Sequence, residues 1–229
     1  MKNVLDVALK RCEIELSPDK VEKLAEFYEM LIEWNERFNL TRIVSPEDAA
    51  VKHFCDSLIG KDLMHGKVCD VGSGGGFPSI PLAIACPECE FTLIEANGKK
   101  VSFLQAASEG LGLKNVRVIK ARAEEVPDLR EGFDVVTARA VAAMNTLLEY
   151  CLHLVKVGGV FVAYKGANYM EELAEAKNAL SVLGGEVGSV VLRELPDDSG
   201  SRAVIEVKKV AHTPPKYPRG QGKPRSKPL

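Results

Sequence analysis

The sequence predicts an α/β fold: a doubly wound, mostly parallel sheet of seven strands with an N-terminal helical cap. Two observations support this prediction. From residue 67 onwards, short apolar runs alternate with segments of helical periodicity, as in repeated strand–helix–strand units. The chain of 229 residues is also long enough for one large domain with an extension. The predicted strands are 67–71, 90–95, 116–120, 133–138, 158–165, 186–194 and 202–209.

The helical cap is predicted from the pattern of residues 1–64. Ser17-Pro18 is typical of a helix start, in which a capping residue precedes a proline in the first turn. Apolar residues then recur at three- and four-residue spacing up to Phe38, which predicts an amphipathic helix packed against another element. A short helix is predicted before it, at 2–12, and Ser45-Pro46 marks the start of a third helix.

Helices between the strands are predicted at 78–86, 98–111, 143–156 and 169–183. Gly158-Gly159 and Gly184-Gly185 are expected at helix ends, because glycine readily adopts the left-handed cap conformation. Only a loop separates the last two strands, so we expect an antiparallel hairpin at the sheet edge. The predicted organisation is a helical extension at 1–64, a sheet domain at 65–209 and a tail at 210–229.

The loop after the first strand predicts a nucleoside site. Residues 68–78 are VCDVGSGGGFP, an apolar strand that ends in an acid and continues into glycines. Glycine allows positive φ and close approach to a ligand, and a glycine turn between strand and helix is the nucleotide-binding corner of α/β folds. Asp70 would repel a pyrophosphate at a helix N-terminus but attract an ammonium or sulfonium. The loop therefore favours S-adenosylmethionine over NAD, FAD or ATP.

The next two strand ends supply further candidate residues. Glu95 follows Gly76 by 19 residues, which suits a carboxylate that accepts hydrogen bonds from ribose hydroxyls. The same spacing would serve NAD, so Glu95 indicates a nucleoside rather than one particular cofactor. After the third strand, a backbone amide of Ala123 or Glu124 is placed to contact the base. An exposed helix start with solvated acids is the alternative for that segment.

Arg139 follows the fourth strand and is expected at the mouth of the site, where it can bind a phosphate or stack on a base. A surface ion pair is the alternative. His53, Asp56 and Ser57 share one helical face. A hydrolase triad needs convergent geometry and an oxyanion hole, so packing is favoured for these three, with a place in the active-site wall as the alternative.

Composition limits the class of protein. No apolar run is long enough to cross a membrane, and the N-terminal residues do not form a signal peptide. Six scattered cysteines do not indicate a secreted disulfide framework, so we expect a cytoplasmic protein. The single Cys-x-x-Cys at 86–89 provides only two of the four ligands that a structural zinc requires, and no metal site is predicted. The oligomeric state stays open.

Charge is distributed unevenly along the chain. Residues 208–229 contain seven Lys or Arg and no acid, whereas the whole chain has a net charge of −2 and the remainder therefore −9. A basic, proline-rich tail on an acidic body indicates an anionic partner held at the tail. A solubilising, disordered end is the alternative. Beyond Val210 we expect little regular structure.

Together these motifs resemble the bacterial 16S ribosomal RNA guanine-N7 methyltransferases, also called glucose-inhibited division protein B. The glycine loop and the tail are specific to that family, whereas the strand–helix pattern is shared by class I methyltransferases in general. The resemblance extends through nearly the whole chain. The segments that carry it are Asn39-Leu40-Thr41, His53 to Ser57, Asp70 to Pro78, Lys99 to Leu104, Arg139-Ala140, Tyr164-Lys165-Gly166 and Tyr217 to Leu229.

The resemblance implies a Rossmann-like class I fold and S-adenosylmethionine as cofactor. It implies as substrate a guanine of 16S ribosomal RNA, either as free RNA or in a small ribosomal subunit particle. The residues at which it implies cofactor binding are Gly72, Phe77, Glu95, Ala96, Asn97, Ala123, Glu124 and Arg139, to which the glycine loop adds Asp70, Gly74 and Gly76.

The chemistry explains why no acid or base is assigned. Guanine N7 carries a lone pair in the plane of the ring, so attack needs no prior deprotonation, and catalysis is expected to come from positioning. Arg139 is the candidate for that positioning role. Three alternatives are a non-catalytic RNA-binding module, an NAD-dependent oxidoreductase and a small-molecule methyltransferase. The intact glycine loop argues against the first, Asp70 against the second and the basic tail against the third.

Overall fold

The computed structural model describes residues 1–229 and confirms the seven-stranded sheet. In chain order the strands are β1 Lys67–Val71, β2 Glu90–Glu95, β3 Val116–Lys120, β4 Phe133–Arg139, β5 Val155–Lys165, β6 Gly185–Glu194 and β7 Ser201–Lys209. Their order in the sheet is β3-β2-β1-β4-β5-β7-β6. The first five strands pair in parallel, and β7 runs antiparallel to both β5 and β6. The predicted hairpin therefore lies at the edge, with β7 as its inner strand.

The helical cap is also present. It consists of α1 Lys2–Arg11, α2 Pro18–Phe38, α3 Pro46–Ala49 and α4 Asp56–Leu58, with a π-helical turn at Ala50–Cys55 between the last two. Ser45 caps α3, because its Oγ accepts a hydrogen bond from the Asp48 amide. None of the helices combines the length and apolar character needed to cross a bilayer.

The remaining helices follow the sheet strands. They are α5 Ser79–Ala85, α6 Gly98–Gly110, α7 Met144–Cys151, α8 Tyr169–Glu175, α9 Lys177–Leu183 and α10 Lys223–Ser226. The helix predicted at 169–183 is thus divided in two at Ala176. Gly184 has φ +78° and caps α9 in the left-handed conformation, as predicted.

The prediction for Gly158-Gly159 is wrong. The helix expected at 143–156 ends at Cys151, and both glycines lie inside β5. A Cβ atom at Gly159 would come within 2.6 Å of the Asp134 carbonyl oxygen, so glycine here lets β5 approach β4 closely.

The cap and the sheet share one hydrophobic core. A cluster of 38 buried residues joins the cap helices to one face of the sheet, and a second cluster of 26 covers the other face. Phe27 of α2 is central to the first cluster, with ring centroids 6.1 Å from Phe54 and 5.2 Å from Phe77. Burial of each such ring stabilises the fold by about 1.5–3 kcal/mol. Because Phe77 belongs to the glycine loop, the cap holds that loop in place.

The segment that follows β7 is packed rather than loose, so the alternative of a disordered solubilising end is wrong. Tyr217 is buried in the second cluster. Arg130 donates hydrogen bonds to the carbonyl oxygens of Tyr217 at 2.8 Å and Pro214 at 3.3 Å. As predicted, the segment has little regular structure beyond α10. It is held by side-chain contacts to the sheet domain.

Candidate functional site

Two adjoining cavities open at the carboxyl ends of the parallel strands, where ligands bind in open α/β sheets. The β2 cavity has a volume of about 230 Å³ and is lined by Val71, Gly72, Ile94, Glu95, Ala96, Ala121, Arg122, Ala123, Glu124, Val141, Tyr150, Gly222 and Arg225. The β5 cavity has a volume of about 680 Å³ and is lined by Ile43, Lys52, His53, Asp56, Arg139, Ala140, Val141, Ala142, Ala143, Tyr164, Lys165, Gly166, Glu172 and Arg202. Val141 lines both cavities.

Five of the predicted cofactor residues meet in the β2 cavity: Gly72, Glu95, Ala96, Ala123 and Glu124. They come from the ends of three neighbouring parallel strands, β1, β2 and β3, which the sheet order places side by side. Pairing of these strands is therefore enough to bring together residues that are far apart in the sequence.

All three predicted glycines of the loop have positive φ, but a Cβ atom would meet different surroundings at each. A Cβ atom at Gly72 would lie 2.8 Å from Cγ2 of Val141, so its absence leaves room for the wall of the β2 cavity. A Cβ atom at Gly76 would lie 2.9 Å from the Phe27 ring, which makes this glycine a requirement of core packing. At Gly74 a Cβ atom would meet only a backbone oxygen at 3.7 Å. Gly74 and Gly76 line neither cavity.

Asp70 lies beneath the loop and is only 1 % exposed. Its Oδ2 accepts a hydrogen bond from the Ser79 hydroxyl, whereas its Oδ1 has no partner. Burial raises the pKa of Asp70 to about 6, and the hydrogen bonds from Ser79 and Ser73 oppose that rise. The structure thus places an incompletely hydrogen-bonded carboxyl group under the glycine loop, and it ionises at a pH much closer to neutral than an ordinary aspartate does.

Glu95 is held in a fixed orientation at the end of β2. Its Oε2 accepts a hydrogen bond from the Gly74 amide at 2.9 Å, and its Oε1 accepts one from the Asn97 amide at 2.8 Å. Each carboxylate oxygen retains a lone pair for a further donor. The Asn97 side chain caps α6 by accepting from the Lys99 amide at 3.0 Å, and it lines neither cavity.

Arg139 lines the β5 cavity within a network of charges. It donates hydrogen bonds to Asp56 Oδ2 at 2.8 Å and to the Lys52 carbonyl oxygen at 3.2 Å. Arg202 of β7 lies on the other side of the same carboxylate, 3.2 Å from Oδ1. The Arg139 and Asp56 side chains are 14 % and 7 % exposed, so the pair is not the surface ion pair of the alternative interpretation. The Arg139 guanidinium also lies 5.3 Å from the Phe77 ring centroid.

Phe77 is covered by His53 and does not line either cavity. The two rings are stacked, with centroids 4.3 Å apart and an angle of 15°. Burial, reinforced by the positive charge of Arg139, lowers the pKa of His53 to about 3, so this histidine is neutral at physiological pH. Its Nε2 lies 2.8 Å from the Thr41 hydroxyl. His53 and Asp56 wall the β5 cavity, whereas Ser57 is fully buried and packs.

Eight residues of the β2 cavity are not among the predicted site residues. Four of them flank predicted ones at the ends of β1, β2 and β3, and the other four come from elsewhere in the chain: Val141, Tyr150, Gly222 and Arg225. Val141 follows Ala140, which has φ +57° although it is not glycine. The Val141 carbonyl oxygen accepts a hydrogen bond from Arg225 at 2.9 Å. The only sequence signal for Arg225 is its place in a basic tail, which does not indicate a cavity.

Comparison with known proteins agrees with this architecture. The sequence model of the family described as GidB, rRNA small subunit methyltransferase G, matches residues 20–199. Three curated relatives carry the name ribosomal RNA small subunit methyltransferase G. The relative from Lactobacillus johnsonii is 46% identical and the match covers 94% of both chains. The relative from Desulfitobacterium hafniense is 46% identical over 96% of this chain and 94% of its own. The relative from Bacillus subtilis is 41% identical over 94% of this chain and 93% of its own.

Solved structures share the fold at much lower identity. A SAM-dependent methyltransferase from Aquifex aeolicus superimposes with a TM-score of 0.56 and 20% identity, over 74% of this chain and 96% of that one. A SAM-dependent O-methyltransferase from Thermotoga maritima superimposes with a TM-score of 0.53 and 20% identity, over 80% of this chain and 72% of that one. These similarities place the sheet among class I methyltransferase folds.

Proposed function

The chain belongs to the rRNA small subunit methyltransferase G family, and on that premise we propose which cavity binds the cofactor and which binds the RNA. The protein is an S-adenosylmethionine-dependent methyltransferase, and it methylates N7 of a guanine in 16S ribosomal RNA. We infer that it acts in the cytoplasm, where that RNA is found.

We assign the β2 cavity to the nucleoside part of S-adenosylmethionine. Glu95 provides the carboxylate for the ribose hydroxyls, and the backbone of Ala123 and Glu124 borders the position of the base. Asp70 lines neither cavity, but its buried carboxyl group, whose Oδ1 has no partner, favours positive charge at the glycine loop above it. A pyrophosphate would be repelled at the same place, so the residues present suit this cofactor.

We assign the β5 cavity to the RNA. Its wall contains four cationic side chains, Lys52, Arg139, Lys165 and Arg202, and two acids, Asp56 and Glu172. The excess of positive charge suits a phosphate backbone, and guanidinium groups also bind the edges of guanine. We propose that Arg139 positions the guanine or its phosphate, because Asp56 and Phe77 hold its guanidinium at the cavity wall.

The wall that the two cavities share is the observation that carries this proposal. Val141 lies between the β2 cavity, whose two acids and two arginines balance, and the β5 cavity, whose wall has more cations than acids, so groups bound on its two sides meet at one boundary. When bound, S-adenosylmethionine supplies a methyl group on a positively charged sulfur. Guanine N7 needs no proton removed, and the neutral His53 near the site is not required as a base. The contribution of the protein is then mainly positioning, which can lower a barrier by about 7–11 kcal/mol.

Methyl transfer from labelled S-adenosylmethionine tests the proposal. The substrates are unmodified 16S ribosomal RNA as free RNA and in the small-subunit particle, and the labelled nucleoside is identified after digestion. We expect the label in 7-methylguanosine. Label in a different nucleoside would contradict the N7 assignment. Cofactor binding with no transfer to either substrate would contradict the assignment of the β5 cavity to this RNA.

A further inference from the structure

The segment at residues 217–229 contributes to the cofactor cavity as well as to the charge of the tail. Gly222 and Arg225 line the β2 cavity, and no other part of the chain after β7 does so. We propose that Gly222 and Arg225 form a cofactor-binding element within this segment, in which Arg225 positions Val141, the residue shared by the two cavities. This inference rests on the proposed assignment of S-adenosylmethionine to the β2 cavity.

A buried ion pair anchors the segment to α7. The Glu149 side chain is completely buried and accepts hydrogen bonds from Arg219 Nη2 at 2.6 Å, Nε at 2.9 Å and the backbone amide at 2.7 Å. A bidentate pair of this kind fixes the orientation of the Arg219 side chain as well as its position. Thr146, one turn earlier on α7, donates a hydrogen bond from its hydroxyl to the Pro224 carbonyl oxygen at 2.9 Å. The second contact holds α10 against α7, and the first fixes the residues that precede α10.

Arg225 forms its hydrogen bond next to a residue with an unfavourable backbone conformation. Its Nη2 donates to the Val141 carbonyl oxygen at 2.9 Å. The preceding residue, Ala140, is in the left-handed region, which is unfavourable for a residue with a side chain and persists when the surroundings enforce it. The Val141 side chain lies against Gly72. Loss of the Arg225 contact would therefore loosen the wall between cofactor and substrate.

The basic character of the tail has a second explanation in these contacts. Of the seven cations at 208–229, Lys209 is buried and donates to the Leu152 carbonyl oxygen at 2.8 Å. Arg219 neutralises Glu149, and Arg225 bonds to Val141. Lys209 is buried, Arg219 is half-buried and Arg225 is exposed, yet each makes a contact within the protein, so a role of the tail purely in RNA attraction does not account for them.

Cofactor titration of single variants tests this inference. We compare the unmodified protein with Arg225→Ala, Arg225→Lys and Lys227→Ala, using calorimetry with S-adenosylmethionine and no RNA. Lys227→Ala removes the same charge from an exposed side chain that makes no hydrogen bond in the structure. We expect Arg225→Ala to weaken cofactor binding about five- to tenfold, because Val141 is then no longer held in place at the cavity wall. Arg225→Lys should regain most of the loss, and Lys227→Ala should bind as the unmodified protein does.

Hydrogen exchange gives a second readout on the unmodified protein, with the cofactor as the only addition. The amides of 222–226 should exchange more slowly when S-adenosylmethionine is bound. Equal cofactor affinity in Arg225→Ala and the unmodified protein, with unchanged exchange at 222–226, would overturn this inference and leave the proposed function standing. Absence of cofactor binding by the unmodified protein would overturn both.

Discussion

The β2 and β5 cavities lie side by side but are built in different ways. The predicted part of the β2 cavity consists of glycine, alanine and glutamate residues at the ends of β1, β2 and β3, which are neighbours in the sheet. Six charged side chains line the β5 cavity, and they come from the helical cap, β4, β5, α8 and β7. A motif in one stretch of sequence can encode the first kind of site. The second kind depends on how distant elements pack.

This difference predicts that substitutions in the two cavities have separable effects. Changes in the β2 cavity should alter cofactor affinity, and changes in the β5 cavity should alter RNA binding and turnover at constant cofactor affinity.

The largest effect is expected for Arg139→Ala. Turnover on RNA should fall about 100-fold, because loss of a positioning group displaces the reacting base. Cofactor affinity should change less than about threefold, since Arg139 does not line the β2 cavity. Turnover is measured with saturating RNA, and cofactor affinity by calorimetry. Asp56 keeps Arg202 as a partner, so the variant should remain folded. A loss of cofactor affinity as large as the loss of turnover would contradict the separation of the two cavities.

Within the glycine loop, Gly76→Ala should be more damaging than Gly74→Ala. Both positions have positive φ, which costs a residue with a Cβ atom about 1 kcal/mol. At Gly76 the new Cβ atom would also lie 2.9 Å from Phe27 and Ile80, so the total loss of unfolding free energy should reach about 2 kcal/mol or more. Urea denaturation of the two variants measures the difference. Equal destabilisation would show that the loop is not fixed by the cap as described.

The next effect concerns pH and Asp70. Burial raises its pKa to about 6, so the carboxyl group is largely protonated at pH 5 and ionised at pH 7.5. A cationic ligand prefers the ionised form. Affinity for S-adenosylmethionine should therefore fall by up to about tenfold when the pH is lowered from 7.5 to 5. The charged groups near Asp70 are Arg139 and Glu95, which act in opposite directions on its pKa. Calorimetry at both pH values measures the change.

Asp70→Asn is the matched control for this titration. Its cofactor affinity should be low and nearly independent of pH. The raised pKa of Asp70 affects folding stability in the direction opposite to its effect on cofactor affinity. The folded state holds the Asp70 proton more tightly than the unfolded state does, so the free energy of unfolding falls as pH rises from about 4 to 6. Asp70→Asn should therefore be more stable than the unmodified protein at pH 7.5. A steep pH dependence of cofactor binding in Asp70→Asn would assign the effect to another group.

Sequence alone predicted the sheet better than the site. The strands were found because β1, β2 and β3 are short apolar runs bounded by turn residues, and their pairing follows from parallel topology. Glu95 and Gly72 were found for the same reason. Nothing local marks Arg225, because its role arises from a buried Arg219–Glu149 pair that joins residues far apart in the chain. The paired state of Arg139 likewise depends on Asp56 from the cap, so only its place at a strand end was predictable.

The smallest effect is expected at the exposed lysines of the tail, and it separates the two roles of that segment. Lys216 and Lys223 are exposed. Lys216→Gln and Lys223→Gln should each weaken RNA binding only a few-fold and reduce the salt dependence by about one counterion, while cofactor affinity stays unchanged. Deletion of 210–229 cannot replace these variants, because it would remove Arg219 and leave the buried Glu149 without its partner. RNA affinities measured at several salt concentrations decide the question. An unchanged salt slope in both variants would mean that RNA does not contact these lysines, and the tail would then act through the β2 cavity alone.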